Sequence, residues 1–242
     1  MPVPRRTLVI AGGAAALGGA AAWQLWPAVA PAAAQGPGPG PGPTPGTPMP
    51  PAAAPANPAD AGGSPRTDPR LAERFAGRAE APLVVQEFFS LTCGHCAAFH
   101  TGTWPQVKAE LVDTGRIRFV WNDFPLDEVA LSAAMVARAL PALRYEAFIS
   151  TLFQNQNRWA FAQGQQIDEL ARMAALAGMN RAEFDRVLAD EGLKRGVLEA
   201  RLAAQNRWQI RATPSFAFGS RLVSGNLTFA EFRTQAERGG RA

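Results

Sequence analysis

Cys93, His95, Cys96 and His100 fall within eight consecutive residues, and the chain has no other cysteine or histidine. Two chemistries use such a cluster. Cys-Gly-His-Cys can be a redox dithiol, in which one thiolate exchanges with a disulfide and the second thiol resolves the adduct. The two thiols and two imidazoles could also be nitrogen and sulfur ligands for zinc or copper(I). Cys93, Cys96 and His100 stand at i, i+3 and i+7, on one face of a helix, and His95 points away from that face. Structural zinc sites usually draw ligands from two separated segments, and the sequence holds no second cluster. The dithiol is therefore the stronger reading, and neither a metal nor another cofactor is assigned.

The elements around the cluster sharpen this. The stretch "PLVVQEFF" at 82–89 is a short apolar run of β-branched and aromatic residues, which predicts a buried strand. A helix is expected over 93–114, kinked or restarted at Thr103-Trp104-Pro105 and ended by Gly115. In "RIRFVWNDF" at 116–124, Ile117, Phe119 and Trp121 alternate onto one face of a second strand. A CxxC motif directly after a buried strand and opening a helix is far more specific than the four letters alone. Cys93 would meet unpaired N–H groups and the positive end of the helix dipole, and His95 could add charge or a hydrogen bond. Both effects lower a thiol pKa from about 8.5 toward 7 or below. Cys96, one turn inside, is expected to be less exposed and to act as the resolving thiol. His100 is expected to pack or hydrogen-bond under the helix.

A long helical stretch follows, at about 127–207. Tyr145, Phe148, Ile149 and Leu152 share one face of a helix whose first turn would hold Pro141. Ile167, Leu170, Ala171 and Ala174 repeat the pattern up to Gly178. Asn180 with Glu183 makes a cap-like start for Phe184, Val187 and Leu188, and a further helix is expected over 191–206. These apolar rows are core. "PSFAFGSRLVSG" at 214–225 predicts a hairpin turning at Gly219-Ser220, and Thr228 with Glu231 is a capping box opening a last helix. The order β-α-β, helices, β-β-α predicts an α/β fold around one sheet, with a helical subdomain inserted into a single domain.

Residues 1–34 suit a signal peptide or N-terminal membrane anchor: Arg5-Arg6, then an apolar run over 8–23 that is long for a signal core and short for a membrane span. Cleavage would fit after Ala34. Arg5-Arg6-Thr7-Leu8-Val9 partly matches a twin-arginine signal, although an ordinary basic start accounts for it as well. Residues 35–66 are a Pro/Gly/Ala-rich stretch without apolar periodicity, expected to be a disordered linker; with its neighbours it could reach roughly 100 Å if extended. The folded domain is then 67–242, placed outside the cytoplasm, periplasmic or otherwise exported, where cysteines can stay oxidised. Of the net charge of +4, Arg5 and Arg6 supply half, and no basic stripe interleaved with aromatics exists, so nucleic acid is not an expected partner.

"VVQEFFSLTCGHCAAFH" and the later "RATPSFAFGSRLVSG" resemble the thioredoxin-fold thiol:disulfide oxidoreductases of the DsbA type. The resemblance covers about residues 71–238 and includes the helical insertion. It implies that Pro214 is a cis-proline facing the disulfide, with Thr213 before it, and that this loop pairs with the substrate backbone. It also implies that Glu87, six residues before Cys93, is an acidic residue beneath the active site, able to take the proton of Cys96. An exposed strand-edge glutamate is the alternative for Glu87. The implied activity is a dithiol oxidase acting on reduced exported proteins and reoxidised by a membrane quinone-linked partner. A disulfide isomerase or reductase of the same fold, and an exported copper- or zinc-binding thiol protein, are the alternatives.

Overall fold

A computed structural model describes residues 68–240 of the chain, so the expected signal or anchor and the whole of the expected linker lie outside the described residues. Five strands form one sheet in the order β1 (Arg74–Ala76), β3 (Ile117–Asp123), β2 (Leu83–Phe89), β4 (Ser215–Phe218), β5 (Arg221–Ser224). β2 runs parallel to β3, and the other neighbours are antiparallel. The β2–β3 parallel pair is joined by a helical crossover, as a βαβ unit requires.

β2 is central, and both of its faces are covered. Leu83, Val85, Glu87 and Phe89 point into the main core, whereas Phe88 points the other way, into a smaller cluster with Phe124, Ile210 and Ala217. On the main face, α9 (Phe229–Gly239) inserts Phe232 against Phe216 and Phe218, at ring separations of 5.6 and 5.0 Å. The expected capping box opens this helix: the Thr228 hydroxyl accepts from the Glu231 N–H while the Glu231 carboxylate accepts from the Thr228 N–H.

The crossover from β2 to β3 is a chain of short helical pieces. α1 (Gly94–Ala98) and α2 (Trp104–Val107) are each followed by a wider turn, Phe99–Thr103 and Lys108–Val112, with Pro105 in the first turn of α2. The expected restart near Trp104-Pro105 is present. Gly115, at φ +76°, ends the run in the left-handed conformation that glycine adopts without steric cost.

The helical insertion comprises α3 (Glu128–Ala139), α4 (Tyr145–Gln154), α5 (Gln156–Trp159), α6 (Gln166–Leu176), α7 (Arg181–Leu188) and α8 (Glu191–Trp208). Asp127, Asn180 and Asp190 cap three of these helices by accepting a main-chain N–H. Tyr145, Phe148, Ile149 and Leu152 are all buried, as their spacing predicts. Pro141 is placed differently from expectation. It precedes a short turn, Ala142–Arg144, and α4 begins only at Tyr145. Leu140, next to the proline, is extended at ψ 156°, the conformation that a following proline favours. Among the described residues no helix is long and apolar enough to cross a membrane.

Candidate active site

Cys93 is the N-cap of α1, with extended backbone angles, so its sulfur sits at the helix mouth. The loop before β4 closes over it. The Thr213–Pro214 peptide bond is cis, and the Cys93 Sγ lies 3.3 Å from the Thr213 carbonyl oxygen. The β2–β4 pairing fixes this meeting across 120 residues of sequence, because Glu87 is in register with Phe216 and Phe88 with Ser215. Ser215 is fully buried, and its hydroxyl bonds the Ala212 carbonyl and the Ser224 hydroxyl, which holds the turn in place.

The two thiols are free, and their environments differ. Cys93 is partly exposed, and its pKa is lowered to about 5. The Cys96 thiol hydrogen-bonded to it is the chief cause; burial opposes the shift, and the Thr213 side chain and the main-chain N–H groups of Cys96 and His95 reinforce it. Cys96 is fully buried, which pushes its thiol well above the ordinary range, and its bond to Cys93 and the nearby Glu87 charge act in the same direction. One sulfur is held as an accessible thiolate and the other as a buried thiol.

His95 contributes to Cys93 through its main-chain N–H, while its side chain is exposed. Glu87 is fully buried, so the strand-edge alternative does not hold. Its two carboxylate oxygens lie 3.1 and 2.9 Å from the Nε2 of His100, itself buried beneath α1. The His100 ring stacks on Phe153 of α4 at 4.3 Å and 21°. His100 Nε2 is thus turned to Glu87. Among the described residues no group of three or more histidine, cysteine, aspartate or glutamate side chains converges as a metal site would need.

Gln156 has a place at the site that the sequence does not announce. Buried at the start of α5, it donates its Nε2 to the main-chain carbonyls of Leu91 and Cys93. It stands in a polar run, Gln154 to Asn157, with no motif to mark it.

A mixed sheet of this order, a CxxC motif at a helix mouth and a cis-proline facing it define a thioredoxin-like fold, here carrying a helical insertion. The family model described as Thioredoxin matches residues 70–238, and the chain belongs to that family. Among its relatives, a Rickettsia felis protein named for protein-disulfide oxidoreductase activity is 26% identical over 163 residues, 67% of this chain and 58% of its own length. A Rickettsia bellii protein of the same name is 26% identical over 141 residues, 58% of this chain and 54% of its own. The chain thus spans little more than half the length of these curated relatives. Among solved structures, alpha-DsbA1 of Wolbachia pipientis superposes with a TM-score of 0.64 at 25% identity, over 70% of this chain and 92% of that one. BdbD of Bacillus subtilis, with a TM-score of 0.59 at 17% identity over 70% and 94%, shares the fold.

Proposed function

We propose that the protein is an exported thiol:disulfide oxidoreductase of the DsbA type, working as a dithiol oxidase through Cys93 and Cys96. The observation that carries this reading is the divided pair, a Cys93 thiol held at about 5 over a buried Cys96 thiol held well above the ordinary range. Stabilising the Cys93 thiolate stabilises the reduced enzyme, which makes its disulfide the better oxidant. The names of the relatives and the likeness to alpha-DsbA1 support the same chemistry.

In this scheme the resting protein holds a Cys93–Cys96 disulfide. A substrate thiolate attacks the Cys93 sulfur; the Cys93–Cys96 bond breaks and Cys96 leaves as a thiolate that takes up a proton. The substrate, now disulfide-bonded to Cys93, lies along the Thr213-Pro214 loop. A second substrate thiol, deprotonated, attacks the substrate sulfur and releases Cys93 as the stabilised thiolate. The substrate has lost two electrons and the enzyme has gained them. Glu87, buried near Cys96, is the group placed to exchange the Cys96 proton, and His95 to tune Cys93 through the N–H at the helix mouth. Reduced exported proteins are the substrates, and a membrane quinone-linked partner restores the disulfide. Residues 1–34 direct the chain out of the cytoplasm or tether it there, and 35–66 space the domain from that tether.

The equilibrium potential of the Cys93/Cys96 pair against glutathione tests the direction. A value near about −120 mV fits an oxidase; one near about −270 mV makes the protein a reductase and overturns the reading. Cys93→Ser should abolish oxidation of a reduced test protein.

A further inference from the structure

Beneath the dithiol lies a buried glutamate–histidine pair. Glu87 comes from the central strand and His100 from the wide turn after α1, and both side chains are almost wholly excluded from solvent. The Nε2 of His100 bridges both oxygens of the carboxylate. The other ring nitrogen, Nδ1, is buried without a hydrogen-bond partner. Phe153 stacks on the imidazole, Phe99 meets it edge-on at 5.6 Å, and Phe89 and Trp104 lie at 5.9 and 6.2 Å. This aromatic cage leaves the ring one polar contact and one orientation.

An isolated carboxylate is costly to bury, so in an apolar site it survives as an anion only beside a fixed partner. Here that partner is an imidazole. The ionisable groups around the pair are Cys96 and Cys93 above it and Glu146 of α4, which is electrostatically coupled to His100. Cys96 senses Glu87.

We propose that His100 is the positioning residue for the proton exchange at Cys96: it holds Glu87 as an ionised, correctly turned carboxylate, the only form that can take the Cys96 proton. The inference rests on the dithiol reading above. The step concerned is the attack of Cys96 on a disulfide joining Cys93 to a partner sulfur. The Cys96 thiol gives its proton to Glu87 and its sulfur attacks Cys93. The Cys93–Cys96 bond forms, the Cys93–partner bond breaks, and the partner leaves as a thiolate. Two electrons pass from the enzyme dithiol to the partner. The proton stays with the Glu87–His100 pair until the reverse step returns it to Cys96.

The test uses an aromatic disulfide whose released thiolate is coloured, mixed with the reduced full-length protein. The first release needs only Cys93, and the second reports the Cys96 attack. His100→Phe, and His100→Gln, which keeps a donor but carries no charge, should leave the first release as in the wild type. Each should slow the second about tenfold at neutral pH and move its pH midpoint up by about one unit. Glu87→Gln should slow the second release, and adding His100→Phe to it should slow it no further. An infrared band of a protonated carboxyl should appear at neutral pH in His100→Gln and vanish in the double variant His100→Gln with Glu87→Gln. A second release in His100→Gln that follows the wild-type pH curve overturns the proposal, as does a double variant showing the product of the single effects. Failure of the dithiol reading looks different: the wild type releases one coloured thiolate, or Cys96→Ser releases two.

Discussion

The Nε2 of Gln156 lies 3.1 Å from the main-chain carbonyl of Cys93, so a side chain of the helical insertion grips the backbone where the reactive helix begins. The same amide reaches the Leu91 carbonyl at 2.8 Å. The Cys93 carbonyl also accepts from the Ala97 N–H, whereas Gln156 ties the chain between β2 and α1 to the insertion, as does the Thr92 hydroxyl that donates to Asp127 at 2.7 Å. Replacing the glutamine with an apolar group leaves buried carbonyl capacity unmet. Gln156→Leu should lower the unfolding free energy by about 1–3 kcal/mol. Urea denaturation of the reduced protein measures it, and an unchanged midpoint would show that the contact contributes nothing.

Alkylation of Cys93 should follow a titration near pH 5 in the reduced protein, because only the thiolate reacts. The sign for stability follows from the same depression. The folded-state value lies below that of the unfolded thiol, so the reduced protein gains stability that is complete above the unfolded range. That gain fades as the pH falls and is lost below about 5. The oxidised protein has no such thiolate. The stability advantage of the oxidised form over the reduced form should therefore grow on acidification from neutral pH toward 4, and a constant difference across that window would contradict the assignment.

Cys96→Ala removes the chief cause of the Cys93 depression, the hydrogen bond from the neighbouring thiol. The Cys93 titration should then move upward, stopping short of an ordinary thiol because the main-chain N–H groups remain. Cys96→Ala should also accumulate a covalent mixed disulfide with a disulfide-bearing substrate protein, visible on a non-reducing gel: the Cys93 thiolate attacks, one substrate sulfur leaves as a thiolate, and no Cys96 is present to resolve the adduct. A titration left at the wild-type position would mean that the helix mouth alone holds the thiolate.

A second polar cluster, away from the thiols, joins the start of the domain to the insertion. Asp123, at the end of β3, pairs with the Arg138 guanidinium and accepts from the Tyr145 hydroxyl at 3.0 Å. Arg138 also donates to the carbonyls of Arg70 and Ala72. All three side chains of the pair and its tyrosine are buried. Asp123→Ala should destabilise the fold by about 3–5 kcal/mol, since it strands the Arg138 charge. Asp123→Asn, which keeps an acceptor for Tyr145, should cost less. Equal losses in thermal and urea unfolding would show that the charge, absent from both variants, governs and that the acceptor kept for Tyr145 contributes nothing.

The two central strands, the hairpin and the caps at Asn180 and Thr228 were legible because each depends on residues within a few positions of one another. β1 was not: Arg74–Ala76 is too short to show a period, and it exists by pairing with β3, Phe75 opposite Val120. The core-facing side of Glu87 can be read from its alternation with Val85 and Phe89, but not its partner. That depends on the phase of the helical crossover, which the wide turns alter. Cys96 and Leu111 are 15 residues apart and both buried. A regular helix would rotate them apart by about 60° over that span, and turns of more than 3.6 residues remove the drift. The side-chain pattern of a regular helix places His100 under α1 but gives no reason for it to meet a glutamate. Gln156 was illegible for the opposite reason, since its role is a contact to main chain and leaves no mark on residue type elsewhere.

The meeting of Cys93 with the Thr213 carbonyl also sets a time order for assembly. The thiol and its facing loop are 120 residues apart, and β4 completes the sheet only after the whole insertion has been made. Closing so long a loop carries an entropic cost that local helices do not, and contacts of that range form late. A nascent chain that has reached α8 already carries both cysteines on a helix, but nothing yet covers them. The reactive pair becomes a guarded one in the same event that finishes the fold.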